Sequence, residues 1–377
     1  MRQINPDVVA AYPITPQTEI VQTFSEFVAD GLVDTEFVPV ESEHAAMSTC
    51  VGACAAGGRA QTATAGAGLA LMWEVLWVAA GLRLPIVMHV VSRSLSAPLN
   101  ILCDHTDSMG ARDTGWIQLH AENHQEAYDD AIQAVRIAEH PHVLLPVMHM
   151  LDGFIISHTM ERVDILPDEV VREFIGTYKP KYSLLNVEHP VTFGANDGAD
   201  YFFEHRRPQY EAMEKALDVI VDVGEEYGKL TGRHYGLLQP YRMEDAEVAL
   251  VVMGSTSGTA RVVVDALRSE GVKAGILKLR CYRPFPSNAV ATALKNAKAI
   301  AIMDRSECFG GQGNPVFEEV CTALFTCGYS PKVIDVVYGL GGRDTPPAHI
   351  RQVFEELLRI VKTGDIGPVR RFLGVHE

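Results

Sequence analysis

The chain has 377 residues, 47% of them hydrophobic and 8% aromatic, enough for a full core and, at about 100 to 200 residues per domain, for two domains. Its formal charge of −16 is uneven: residues 241–377 carry 17 Lys/Arg and 15 Asp/Glu, net +2, which leaves −18 for residues 1–240. The acidic half argues against a nucleic acid partner and gives no reason to expect binding to a membrane surface; it would suit a basic partner, and a solvated acidic exterior is the simpler reading.

The first apolar run, residues 8–11, leads into Tyr12-Pro13-Ile14-Thr15-Pro16-Gln17-Thr18. Proline fixes φ and disfavours helix in the residue before it, so this segment predicts a turn presenting the Thr15 hydroxyl at the strand's end. A helix is expected over 19–30, a strand over 36–40 and a helix over 44–57. Glu43, in Val40-Glu41-Ser42-Glu43-His44, falls where that strand gives way to its helix. Its carboxylate would project from the same sheet edge as Thr15, the edge at which open α/β sheets bind ligands. Taken alone, an acid there only complements the helix dipole.

Strands over 61–65, 84–91 and 142–147 and helices over 68–82 and 125–139 continue the alternation. Continuous apolar strands between helices indicate a parallel sheet covered on both faces, a doubly wound α/β domain. Residues 69–91 are the most apolar stretch, yet Glu74, Arg83 and His89 interrupt it and Pro85 splits it. It reads as a buried helix and strand, not a membrane span. Arg93 follows that strand, where a guanidinium either clamps a carboxylate through two parallel hydrogen bonds or caps the strand. Cys103-Asp104-His105-Thr106-Asp107 has metal-ligating residue types but no partner at suitable spacing, so no metal is assigned to it.

Residues 165–238 break the rhythm with a Pro-punctuated stretch and a long charged helix over 207–230, which reads as an extended linker arm, not a core element. The first domain, arm included, is expected over 1–238 and the second over 239–377, a smaller α/β unit with strands over 247–253, 273–279, 299–303 and 332–337. Its Gly254-Ser255-Thr256-Ser257-Gly258-Thr259 segment is either an anion cradle or a plain strand-to-helix turn. Phe309-Gly310-Gly311-Gln312-Gly313 permits a tight turn or close packing against another chain. The seven cysteines are odd in number and include no C-x-x-C, so neither a disulfide framework nor an iron–sulfur cluster is expected on this chain; buried small side chains fit them better. The N-terminal residues show no secretory pattern, and a cytoplasmic location is expected.

Together these residues resemble the 2-oxoacid:ferredoxin oxidoreductase family, most closely α subunits of the pyruvate type. The resemblance runs over almost the whole chain, through Ala11 to Thr18, Val40 to Ala46, Val91-Ser92-Arg93, the Asp104-His105 to Thr114-Gly115 segment and Leu151-Asp152-Gly153-Phe154. It continues through Thr192-Phe193-Gly194-Ala195-Asn196-Asp197-Gly198, Tyr201 to Arg207, Met253-Gly254-Ser255, Arg283-Pro284-Phe285-Pro286 and Asp304-Arg305.

The resemblance implies that the first domain is the pyrimidine-binding half of a thiamine diphosphate site and that the second is like the C-terminal domain of transketolases. By position, Glu43 falls on the glutamate that activates the cofactor, Tyr12, Pro13 and Ile14 lie beside the cofactor, and Thr15 and Arg93 hold the oxoacid carboxylate. Mg²⁺ and [4Fe–4S] clusters are expected on partner β, γ and δ subunits, with ferredoxin and coenzyme A as further partners. The implied reaction is reversible oxidative decarboxylation of pyruvate to acetyl-CoA, carried out only by the assembled complex. The same chemistry on 2-oxoisovalerate or 2-oxoglutarate, and a non-catalytic assembly role, are the competing readings. Relatives usually carry a further N-terminal stretch that builds a first helix, so the start of this chain is expected to be truncated or to lack that helix.

Overall fold

The computed structural model describes residues 1–376. Along the chain come β1 (Val8–Ala11), α1 (Thr18–Ala29), β2 (Glu36–Pro39), α2 (Glu43–Ala55), β3 (Ala60–Thr64), α3 (Gly66–Leu71), α4 (Trp73–Gly81) and β4 (Val87–Ser92). Next are α5 (Thr106–Gly110), β5 (Ile117–His120), α6 (His124–Ala138), β6 (Val147–Asp152), α7 (Asp168–Ile175) and α8 (Phe202–Thr231). The rest is β7 (Leu238–Tyr241), β8 (Val248–Met253), α9 (Thr256–Ser269), β9 (Ala274–Leu279), β10 (Cys281–Arg283), α10 (Ser287–Leu294), β11 (Ala299–Asp304), α11 (Pro315–Thr326), β12 (Lys332–Tyr338), α12 (Pro347–Thr363) and β13 (Arg370–Leu373).

The first sheet has the order β10-β5-β6-β4-β3-β1-β2 and is parallel except for β10, which reaches back from the second half of the chain to pair antiparallel with β5. Every residue of β3, β4, β5 and β6 is buried, as a parallel sheet covered on both faces requires. Beneath one face lie α6 and α8, which pack Ile132, Val135, Ala216 and Ile220 on Val87, Leu119 and Val147. Across the other, α2 and α4 pack Met47, Cys50 and Leu76 on Met88, Val90 and Met148. Met47 is fully buried, and such a side chain contributes about 1.5–3 kcal/mol, which anchors the first turn of α2 where Glu43 stands. The second sheet, β13-β12-β11-β8-β9-β7, is parallel except at β7. In the first sheet β2 and β3 flank β1 on opposite sides, so the connections leaving β1 and β3 diverge and open a crevice at the carboxyl ends of these strands.

The two sheets are joined by buried charge. Lys278 of β9 lies between Glu122 (3.1 Å) and Glu126 of the α6 region, and the Arg280 guanidinium donates to Asp130 at 2.6 Å. Deleting one partner of such a pair strands a buried charge, at a cost of about 3–5 kcal/mol.

Several expectations need correction. Residues 142–146 are not a strand; Leu144 has φ +43 and Pro146 offers no N–H, and β6 starts only at Val147. The helix expected over 68–82 is broken at Met72 into α3 and α4. Within 165–238, α8 is a core element: Ala212, Ala216, Ile220, Val223 and Tyr227 recur at helical spacing and are buried against the first sheet's helices. Its many charges lie on the opposite face and mask this stripe in composition. Of the cysteines, Cys50, Cys54, Cys103 and Cys281 are buried, Cys308 and Cys321 are partly so, and Cys327 is exposed. Among the described residues no helix is long and apolar enough to cross a membrane.

Candidate active site

The turn after β1 is tied down by Gln17, a fully buried side chain whose Nε2 donates to the Ala63 carbonyl of β3 at 2.8 Å. Tyr12 and Ile14 are half-buried, Pro13 is exposed, and Thr15 is exposed at the tip. Arg93 directly follows β4, is 7% exposed, and donates from Nη1 to the Thr15 carbonyl oxygen at 2.6 Å. That is its only side-chain hydrogen bond among the described residues, and its Nε is buried without a partner. A surface cap on a strand is therefore the wrong description of Arg93. It is a buried cation facing the turn with donors to spare, the state in which a guanidinium takes a carboxylate.

Glu43 opens α2. Ser42 caps the helix, its Oγ accepting from Ala45 N at 3.2 Å. Glu43 is 6% exposed, and nothing among the described residues donates to its carboxylate. The first turn of α3, which follows β3, separates it from Arg93. A Cβ placed on Gly66 would lie 2.5 Å from Arg93 Nε, and one on Gly68 would lie 2.6 Å from Glu43 Oε1 and 2.5 Å from Thr64 Oγ1. The glycines keep both charged groups clear. The Thr64 hydroxyl is itself buried and unpaired. An aminopyrimidine offers a ring nitrogen for a carboxylate and an exocyclic amine for an acceptor, so this unpaired set fits the thiamine diphosphate headgroup.

The start of α3 and Arg93 are held by Asp107, in the first turn of α5. Its Oδ2 accepts from Gly66 N and Arg93 N, both at 3.0 Å, and its Oδ1 from Ser108 N at 2.7 Å. Burial pushes this carboxyl up to about 6, although the N–H bonds from Arg93, Gly66 and Ser108 pull the other way.

Cys103, His105 and Asp152 present ligand atoms within 4.8 Å of one another. The Asp152 carboxylate, however, is engaged by His105 Nε2 at 2.8 Å, Arg305 Nη1 at 3.2 Å, and Ser255 N and Oγ at 2.9 and 2.5 Å. A guanidinium on Oδ2 of this carboxylate opposes a cation there. Asp152 is held well below the usual carboxylate range by His105 and Arg305, with help from Ser255, against the upward effect of burial. The Gly254–Ser255 turn thus does cradle an anion, but one supplied by the first sheet. In the 309–313 segment, Gly310 has φ +79 with open space around it and Phe309 is exposed.

Thr15 and Arg93 are brought into direct contact, and Arg93 and Glu43 border positions two residues apart in the first turn of α3. Gln17, Thr64, Gly66, Gly68 and Asp107 were not anticipated as site residues. Gly66-Ala67-Gly68 just after a strand was the available signal for this close approach.

Comparison with known proteins bears on what binds here. The family described as pyruvate flavodoxin/ferredoxin oxidoreductase, thiamine diP-bdg, matches residues 1–225, and pyruvate:ferredoxin oxidoreductase core domain II matches residues 246–350. Pyruvate synthase subunit PorA of Thermotoga maritima is 54% identical over 100% of this chain and 95% of its own length. Ketoisovalerate oxidoreductase subunit VorA of Pyrococcus horikoshii is 43% identical over 95% of this chain and 91% of its own. A solved 2-oxoglutarate:ferredoxin oxidoreductase from Magnetococcus marinus, with 2-oxoglutarate, coenzyme A and succinyl-CoA bound, shares the fold at a TM-score of 0.70 and 19% identity. The match covers 94% of this chain, which spans 63% of that protein's length.

Proposed function

The chain belongs to the 2-oxoacid:ferredoxin oxidoreductase family, and from that premise we propose that it is the α subunit of an enzyme converting pyruvate, coenzyme A and oxidised ferredoxin reversibly to acetyl-CoA, CO₂ and reduced ferredoxin. The observation that carries the proposal is Arg93, a buried arginine whose guanidinium meets only a carbonyl and leaves Nε unpaired. A carboxylate from outside the chain completes it, and an oxoacid supplies one.

Thiamine diphosphate, when bound, supplies an electron sink for the pair released as CO₂ leaves. The chain's own residues do the rest. Glu43 holds the aminopyrimidine through its unpaired carboxylate and carries the proton that sets the ring's tautomer. Tyr12, Pro13 and Ile14 form the wall behind Thr15. Arg93 neutralises the oxoacid carboxylate, and Thr15 donates its hydroxyl to it. The diphosphate, Mg²⁺ and [4Fe–4S] clusters are assigned to partner β, γ and δ subunits. Leu71, the last residue of α3, and Trp73, the first of α4, are both about half-exposed and offer an apolar surface for such a partner.

A second reading keeps every residue in its role and changes the oxoacid to 2-oxoisovalerate; the 43% identity to a ketoisovalerate subunit favours it over 2-oxoglutarate. The complex should be assembled with its partner subunits and assayed for coenzyme A-dependent ferredoxin reduction on pyruvate, 2-oxoisovalerate and 2-oxoglutarate. Pyruvate is expected to give the highest kcat/KM. A preference for 2-oxoisovalerate selects the second reading, and no turnover on any of the three overturns both.

A further inference from the structure

Residues 100–108 form a strap that lies between the two halves of the chain. On the second-sheet side, His105 N donates to the Arg305 carbonyl at 2.8 Å, Gly342 N to the Cys103 carbonyl at 2.8 Å, and Gly341 N to Asp104 Oδ2 at 3.1 Å. Asn100 Nδ2 donates to the Gly341 carbonyl at 3.0 Å. On the first-sheet side, Asp104 Oδ2 accepts from Ser94 Oγ at 2.5 Å, Leu95 N donates to Thr106 Oγ1 at 3.1 Å, and Asp107 takes the main-chain N–H groups of Gly66 and Arg93. One carboxylate oxygen therefore fixes the spacing between the ends of β3 and β4. It is held in turn by a strap that the second sheet clamps.

We propose that Asp107 is the positioning residue for Arg93, and that the second sheet, through the 100–108 strap, sets where the substrate-binding guanidinium stands. The inference rests on the reading of Arg93 above. Asp107 does not touch the guanidinium; it acts on Arg93 through the main chain, leaving the side chain free to meet Thr15 and a carboxylate. Gly66 is drawn to the same oxygen, so the gap between the start of α3 and the arginine is set by one atom. The geometry is specific to a carboxylate. In Asp107→Asn either the amide nitrogen faces two N–H groups at Gly66 and Arg93, or it faces the N–H of Ser108. Both arrangements set donor against donor.

The test uses the assembled complex. For Asp107→Asn, KM for pyruvate is expected to rise about tenfold or more, since displacement of about an ångström is enough to disturb a bound substrate. The change in kcat should be under about threefold, and thiamine diphosphate affinity, measured by calorimetric titration, and the melting temperature of the complex should stay close to those of the parent. A KM unchanged in an assembled Asp107→Asn complex overturns the proposal, as does a loss of thiamine diphosphate affinity equal to the rise in KM. If Asp107→Asn does not assemble, Asp104→Asn decides: it loosens the strap three residues away, so a selective rise in pyruvate KM supports the proposal and no rise overturns it. Arg93→Lys is the control for the underlying reading. Should it leave KM unaltered, the carboxylate role of Arg93 fails, whatever the Asp107 variants show.

Discussion

Arg93 Nη1 meets the Thr15 carbonyl oxygen at 2.6 Å, so one guanidinium spans from the end of β4 to the turn after β1, across β3. The contact uses one of five donors and leaves Nε buried and unpaired.

Replacing Arg93 by alanine should therefore weaken oxoacid binding specifically. A hydrogen bond to a charged group is worth about 1.5–3 kcal/mol, so KM for pyruvate is expected to rise about 10- to 100-fold. Lysine should recover only part of this, because it keeps the charge and loses the planar fork. Steady-state kinetics of the assembled complex check it, and an alanine variant with the parent's KM removes Arg93 from the site.

Glu43 presents the opposite case, a buried acid that no group satisfies among the described residues. Glu43→Gln keeps the shape and removes the proton-carrying group, so turnover should fall about 10²- to 10⁴-fold, the usual span for a positioned acid–base residue. Assembly, read by size-exclusion chromatography, should be unaffected, because the side chain makes no hydrogen bond among the described residues. Glu43→Ala retaining most of the parent's turnover contradicts the assignment.

The placement of Thr15, Glu43 and Arg93 at one sheet edge was legible in the sequence because each stands at a strand-to-turn or strand-to-helix boundary, and boundaries of a doubly wound sheet converge on one edge. Asp107 was not. Its partners, the main-chain N–H groups of Gly66 and Arg93, lie 41 and 14 residues away and leave no mark in composition. The same holds for β5, where Gln118 and His120 are buried polar residues that interrupt the apolar signal of a strand. In α8 the period was present but was outvoted by charge, since a helix packed on one side needs only its stripe to be apolar.

Gly68→Ala tests the space around Glu43. No left-handed φ is required at Gly68, but the added Cβ would fall 2.5 Å from Thr64 Oγ1 and 2.6 Å from Glu43 Oε1 and must push both aside. Overpacking of this kind costs about 1–3 kcal/mol, of which the helix preference of alanine over glycine offsets about 1 kcal/mol, so the melting temperature should hold or fall by a few degrees. Displacement of the carboxylate should appear as a loss of about tenfold in thiamine diphosphate affinity by calorimetric titration of the complex. Parent-like affinity would show that the carboxylate does not need its present place.

The first sheet also buries neutral histidines, and these set how the chain responds to acid. His120 and His149 are lowered to about 3, chiefly by burial, and His89, which meets His149 at 3.0 Å between Nδ1 atoms, is lowered as well. An unfolded histidine titrates near about 6.5, so between roughly pH 6.5 and 3 the unfolded chain binds protons that the folded chain refuses, and stability falls as pH falls. Each such group contributes a slope of about 1.4 kcal/mol per pH unit within that window. Asp107 and Asp304, raised to about 6 chiefly by burial, act with the opposite sign below pH 6. The histidine contribution is therefore read as a difference. His120→Gln should flatten the dependence of unfolding free energy on pH between about 6 and 4 by one proton's worth, whatever it does to stability at pH 7, in urea titrations of the purified chain. Parallel pH profiles for the parent and His120→Gln would mean that His120 is already protonated in the folded state.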